Sequence, residues 1–76
     1  MNDLREYLKK LREEKGMTQQ KVAESIGFSQ HYYSLIENGE RQQKMDVQIL
    51  NKLAIVFDTS IIKLLELELK NIGKVV

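Results

Sequence analysis

His31 is the only histidine in the chain and the one side chain whose ordinary pKa lies near neutrality. It sits between Ser29 and Ser34, hydroxyls of the kind nucleophilic catalysis uses. A triad needs groups converging from separate elements, and no G-x-S-x-G turn or other nucleophile motif accompanies these serines. With no Cys and a single His, thiolate, zinc and iron–sulfur sites lack ligands, and no Asp-rich loop offers oxygens to a cation. Gly-rich phosphate loops and dinucleotide fingerprints are absent too. The residues therefore point to neither an enzyme nor a metal or cofactor protein. What they do offer is a hydrogen-bonding surface. Gln30, His31, Tyr32 and Ser34 stand in a run with no acid before Glu37, so this surface can meet a polyanion without repelling its phosphates.

Presenting that run requires a helix held by others. Leu4, Leu8 and Leu11 with Tyr7 predict a first amphipathic helix that stops near Lys15, where Gly16 offers left-handed geometry. Thr18 can cap a short second helix with Val22, Ala23 and Ile26 inside, ended by Gly27. Ser29 can cap a third, Gln30 to Glu37, with Tyr33 and Ile36 inward and Gly39 at its end. Tyr33 is expected in the core with its hydroxyl reaching the surface. Asp46 can cap a fourth helix carrying Ile49, Leu50, Leu53, Ala54, Val56 and Phe57. After a polar break at Asp58, Thr59 and Ser60, residues 61–76 predict a last helix. The alternation Leu65-Glu66-Leu67-Glu68-Leu69 has a strand's period, but Leu and Glu are strong helix formers, and Ile62, Leu65, Leu69, Ile72 and Val76 also repeat at helical spacing.

Composition agrees with such a small helical unit. A chain of 76 residues allows one domain, and the absence of Cys leaves its stability to packing. Twelve Lys and Arg against 11 Asp and Glu exclude a histone-like binder while leaving a polyanion partner open. The start, Met1-Asn2-Asp3-Leu4-Arg5-Glu6, has neither the basic lead nor the apolar run of a secretory signal, and no stretch is long enough to span a membrane. A cytoplasmic location is the expectation.

Two short helices separated by Gly27-Phe28-Ser29 have helix-turn-helix spacing. Further residues make the likeness specific: Leu8-Lys9-Lys10-Leu11-Arg12-Glu13-Glu14-Lys15-Gly16-Met17-Thr18-Gln19, Val22-Ala23, Ile26-Gly27-Phe28-Ser29, Tyr33-Ser34, Ile36-Glu37-Asn38-Gly39, Arg41, Lys52-Leu53-Ala54 and Ser60. Residues 8–65 thereby resemble the helix-turn-helix domain of the Cro/C1 phage-repressor family, also called the XRE family. The resemblance implies an all-α five-helix bundle of the phage-repressor DNA-binding type, with helices two and three as the helix-turn-helix. It further implies that Ser29, Gln30, His31 and Tyr32, with Ser34 and Leu35 on the later turn, meet base edges in the major groove. Gln30 is the foremost base reader, since Gln pairs in bidentate fashion with adenine. Leu35 offers only an apolar contact to a thymine methyl. Thr18, Gln19 and Asn38 are expected on backbone phosphates, as are Arg41 and Lys44 through their charge. Capping alone would also account for Thr18 and Ser29. Arg12 and Glu37 match an ion pair that ties the first helix to the end of the third.

The sequence departs from the family pattern after Arg41. Gln42-Gln43-Lys44-Met45-Asp46 lacks the usual Pro and is about two residues longer before the fourth helix, which leaves the loop's role open. Ile62 also stands where the family often has an acid. Leu50, Leu53, Phe57, Leu64 and Leu65 would already fill one small core, so Ile55, Ile61, Ile62, Leu69 and Ile72 are expected at a homodimer interface, with residues 61–76 as the dimerisation extension. Otherwise the tail folds back to close the monomer.

These features predict a single-domain regulator over residues 1–76, with double-stranded DNA as its partner and no cofactor or membrane. Repression from a palindromic operator is the simplest mechanism. The alternative is a protein-interaction module of the same fold, such as an antitoxin-like or anti-repressor protein, to which the near-neutral charge lends weight.

Overall fold

Local capping chemistry divides the chain into its helices. The computed structural model describes residues 4–42 and 44–73, with only the backbone at 72 and 73. It contains α1 (Glu6–Glu14), α2 (Gln19–Ile26), α3 (Gln30–Glu37), α4 (Val47–Val56) and α5 (Ile61–Gly73), and no strand among the described residues. Thr18 Oγ1 accepts the Lys21 N–H at 3.1 Å, Ser29 Oγ accepts the Tyr32 N–H at 3.1 Å, and Ser60 Oγ accepts the Lys63 N–H at 3.0 Å. Each hydroxyl satisfies a donor that the first helical turn leaves unpaired. Gly27 ends α2 at φ 81°, a left-handed geometry that costs glycine little and any other residue more.

Two boundaries differ from expectation. Asp46 occupies the N-cap position of α4 but its carboxylate makes no capping bond; instead its own N–H donates to Gln42 Oε1 at 3.0 Å. At the other end of the chain α1 begins after Arg5, whose N–H donates to the Glu37 carbonyl at 2.8 Å. Leu4, expected on the inner face, is left half exposed by this start.

The core is continuous through all five helices: Leu8, Val22, Ile26, Tyr33, Ile36, Leu53, Phe57 and Leu64 are buried together. Burying each large apolar side chain contributes about 1.5–3 kcal/mol, the main stabilising term in a chain without disulfides. Tyr33 is fully buried along with its hydroxyl, so the expected surface-reaching tip is not found. Its hydroxyl lies near Glu37 and Arg12.

Helix α5 carries a buried stripe and an exposed apolar stripe one residue out of step. Leu64, Glu68 and Asn71 are buried, and Ile61 packs half-buried against the core, at spacings of three and four residues. Ile62, Leu65 and Leu69 form the neighbouring stripe and are 68%, 44% and 58% exposed. Leu65 therefore lies outside the core it was expected to fill, while Ile61 turns inward, because a helical turn of about 100° per residue separates each from its neighbour. The side chain of Ile72 lies outside the described residues. Ile55, on α4, is 71% exposed.

Candidate nucleic-acid interface

Helices α2 and α3 are eight residues each and pack closely on one another. The exposed beginning of α3 is set by Ser29, whose cap fixes the direction in which the next turn leaves. Ser29, Gln30 and His31 are exposed there, whereas Tyr32, Ser34 and Leu35 are half-buried along its flank. No acid stands in the first turn of either helix, although the Glu37 carboxylate reaches Gln19 at the start of α2. The six side chains expected to meet bases thus occupy one helix, and the first three are the most accessible.

Residues expected at phosphates divide into two groups. Gln19 and Asn38 line one concave pocket of about 300 Å³, together with Lys9, Arg12 and Arg5. Arg41 and Lys44 are exposed on the loop between α3 and α4, where the Arg41 guanidinium donates, among the described residues, to the neighbouring Glu40 carbonyl. Thr18 is exposed, and its hydroxyl serves as the α2 cap.

Glu37 anchors the first group from below. Its Oε2 accepts from Arg12 Nε at 2.8 Å and its Oε1 accepts from Gln19 Nε2 at 3.1 Å. Arg12 also donates to the Met17 carbonyl at 3.1 Å, which joins the end of α1 to the turn before α2. Hydrogen bonding to Glu37, outweighing the opposing effect of burial, raises the Arg12 pKa above its ordinary value. The ion pair inferred from sequence is therefore in place, and it holds Gln19 as well.

A second polar cluster escaped the sequence reading. Arg5 pairs with Glu68 of α5 through Nε to Oε1 at 2.8 Å and Nη2 to Oε2 at 3.0 Å. The same guanidinium donates to the carbonyls of Ile36 at 2.6 Å and Arg41 at 3.2 Å, and also to that of Gln42. Tyr7 donates its hydroxyl to Glu68. One buried cation thus gathers carbonyls from the end of α3 and the following loop. The only sequence signal was register, since Glu68 stands four residues after Leu64 on the inward stripe.

Tyr32 is braced from two further sides that sequence did not suggest. Phe28 packs against it with ring centroids 5.0 Å apart at 56°, and Lys52 Nζ lies 5.9 Å from the Phe28 centroid. Gln42 Nε2 donates to the Tyr32 hydroxyl at 3.0 Å. Among the described residues no group of three or more His, Cys, Asp or Glu side chains is placed to hold a metal ion. No helix among them is long and apolar enough to cross a membrane.

A capped helix pair whose second helix begins with an exposed turn free of acids, on a five-helix core, defines a helix-turn-helix DNA-binding regulator. The sequence matches the model of a helix-turn-helix family over residues 8–64, and the chain belongs to that family, of the Cro/C1 or XRE type. It is also similar to an uncharacterized HTH-type transcriptional regulator, YqaF of Bacillus subtilis (strain 168), with 46% identity over 44 residues. That match spans 58% of this chain and 58% of the relative. No solved structure matches the chain. Domains of this family bind DNA and regulate transcription; they are not enzymes.

Proposed function

We propose that this protein is a transcriptional repressor of the cytoplasm that binds a palindromic operator as a homodimer. The observation that carries this reading is the pairing of two uncovered surfaces of opposite character. The start of α3 is polar and free of acids, while Ile62, Leu65 and Leu69 of α5 form an apolar stripe that the monomer leaves open. Joining two copies through that stripe, with the exposed Ile55 of α4 contributing, brings two recognition helices into two-fold relation, which suits half-sites one DNA turn, about 34 Å, apart.

In this mechanism Thr18, Gln19, Asn38, Arg41 and Lys44 fix register on the phosphates, and Ser29, Gln30, His31 and Tyr32 read base edges, with Ser34 and Leu35 at the margin. Gln19 and Asn38 share one pocket, which supports a common role for them; its charged lining is mixed, with Lys9 beside Glu6 and with Arg12 paired to Glu37. Occupation of a promoter by the dimer then excludes polymerase.

The test is selection from a randomised duplex pool by the purified chain at two salt concentrations. Enrichment of an inverted repeat, with binding that weakens steeply as salt rises, is the expected result. No enrichment at either salt would move the reading to a protein-interaction module of the same fold.

A further inference from the structure

Gln42 lies in the part of the chain that departs most from the family pattern, and every one of its side-chain polar groups is engaged. Its backbone adopts φ 57°, the left-handed region that residues other than glycine seldom enter. Arg5, itself locked on Glu68, donates to its carbonyl and holds that turn in place. The side chain then spans two elements: Oε1 accepts the Asp46 N–H at the head of α4, and Nε2 donates to the Tyr32 hydroxyl on α3.

The direction of the second bond follows from the first. A backbone N–H can only donate, so the Gln42 oxygen must face Asp46 and the amide NH₂ must face Tyr32. The Tyr32 oxygen is therefore an acceptor on that side, and its own O–H is directed elsewhere. Tyr32 is half-buried and Phe28 packs against its ring, and the hydroxyl's proton, turned away from Gln42, is left for another acceptor.

We propose that Gln42 is a positioning residue that makes Tyr32 a hydrogen-bond donor toward DNA, selecting an acceptor oxygen or nitrogen and disfavouring an amino group at that place. The inference rests on the DNA-binding reading above and adds to it how the loop controls one contact of the recognition helix. The acceptor is a phosphate oxygen or a base acceptor of the major groove, both of which match a phenolic donor.

A double-mutant cycle on the full chain tests it, with the duplex enriched by selection as probe. Tyr32→Phe should weaken binding about fivefold to tenfold if the acceptor is a neutral base atom, and more than about tenfold if it is an ionised phosphate oxygen. Gln42→Met should cost a similar factor in the wild type and almost nothing further when Tyr32 is already Phe. Gln42→Asn, too short to bridge but at ease with the left-handed backbone, should behave as Gln42→Met. Thermal melts of each variant separate this effect from loosening of α4, which would weaken binding equally whether residue 32 is Tyr or Phe. A neutral methylphosphonate that abolishes the Tyr32→Phe effect assigns the acceptor to that phosphate, and a 7-deazapurine that does so assigns it to a base. Independent, additive losses from Tyr32→Phe and Gln42→Met would overturn the inference while leaving the DNA-binding reading intact, as would a Tyr32→Phe protein that binds like wild type. A wild type that enriches no duplex would sink both together.

Discussion

Arg5 and Glu68, 63 positions apart, meet in a two-point ion pair with side chains only 3% exposed, and through it α5 holds the loop that follows α3. The pair matters because Arg5 also binds the carbonyls of Ile36, Arg41 and Gln42. Removing the carboxylate leaves a buried cation with no counter-charge. Glu68→Ala should therefore destabilise the fold by about 3–5 kcal/mol. The double substitution Arg5→Met, Glu68→Leu should recover only part of that loss, since an apolar pair cannot replace the donors to the loop carbonyls. Urea unfolding of the three proteins checks both points. Full recovery in the double variant would show that the loop carbonyls do not depend on Arg5.

High pH should act through two tyrosines. Burial, followed by the Glu68 carboxylate for Tyr7 and the Glu37 carboxylate for Tyr33, holds each hydroxyl well above its ordinary value of 10.0. The unfolded chain releases these protons near pH 10 while the folded chain keeps them, so unfolding becomes easier as pH rises beyond that point. Stability from this source is complete below about pH 10 and declines above it. Tyr33→Phe should flatten part of the decline. At neutral pH it should stabilise the fold by about 1–3 kcal/mol, because it removes a buried hydroxyl that has no hydrogen-bond partner among the described residues. Melting curves of both proteins between pH 7 and pH 11 provide the comparison. Parallel curves throughout would show that Tyr33 ionises alike in the folded and unfolded states.

Leu69 and Leu64 separate the proposed assembly surface of α5 from its packing surface. Leu69 is 58% exposed, while Leu64, five positions earlier, is fully buried. Leu69→Asp should convert a dimer into a monomer with helical content nearly unchanged, whereas Leu64→Asp should unfold the chain. Sedimentation together with circular dichroism reads both properties. A wild type that sediments as a monomer at working concentration would refute the dimer outright.

What sequence revealed and what it hid divide along a physical line. Thr18, Gly27, Ser29 and Gly39 mark helix ends because a cap is a transaction between residues a few positions apart, and the helix-turn-helix was legible for that reason. Arg12 and Glu37 were legible through the family resemblance. Arg5 and Glu68 were not, since each looks like an ordinary solvated charge until α1 and α5 are packed. Leu64 and Leu65 are equally apolar, and only the rotation of α5 on the core decides which one is buried. Gln42 had no local signature at all, because its partners Tyr32 and Asp46 are brought to it by the turn that Arg5 holds.

Gln30 and Lys44 separate reading from anchoring. Both are exposed, but Gln30 is the first residue of α3 and carries a planar donor and acceptor, while Lys44 is a mobile-ended point charge on the loop. Loss of a bidentate contact to one base pair is felt only where that base pair is present. Gln30→Ala should therefore cost about 1–3 kcal/mol on the selected duplex and relax preference at one position. Loss of a phosphate contact is felt on every duplex, so Lys44→Ala should weaken all of them by a similar factor and lower the salt slope by about one. Titrations of both variants on the selected and a scrambled duplex, at several salt concentrations, distinguish the two patterns. If Gln30→Ala weakened both duplexes alike, its role would be to hold the backbone, and base reading would rest on His31 and Tyr32.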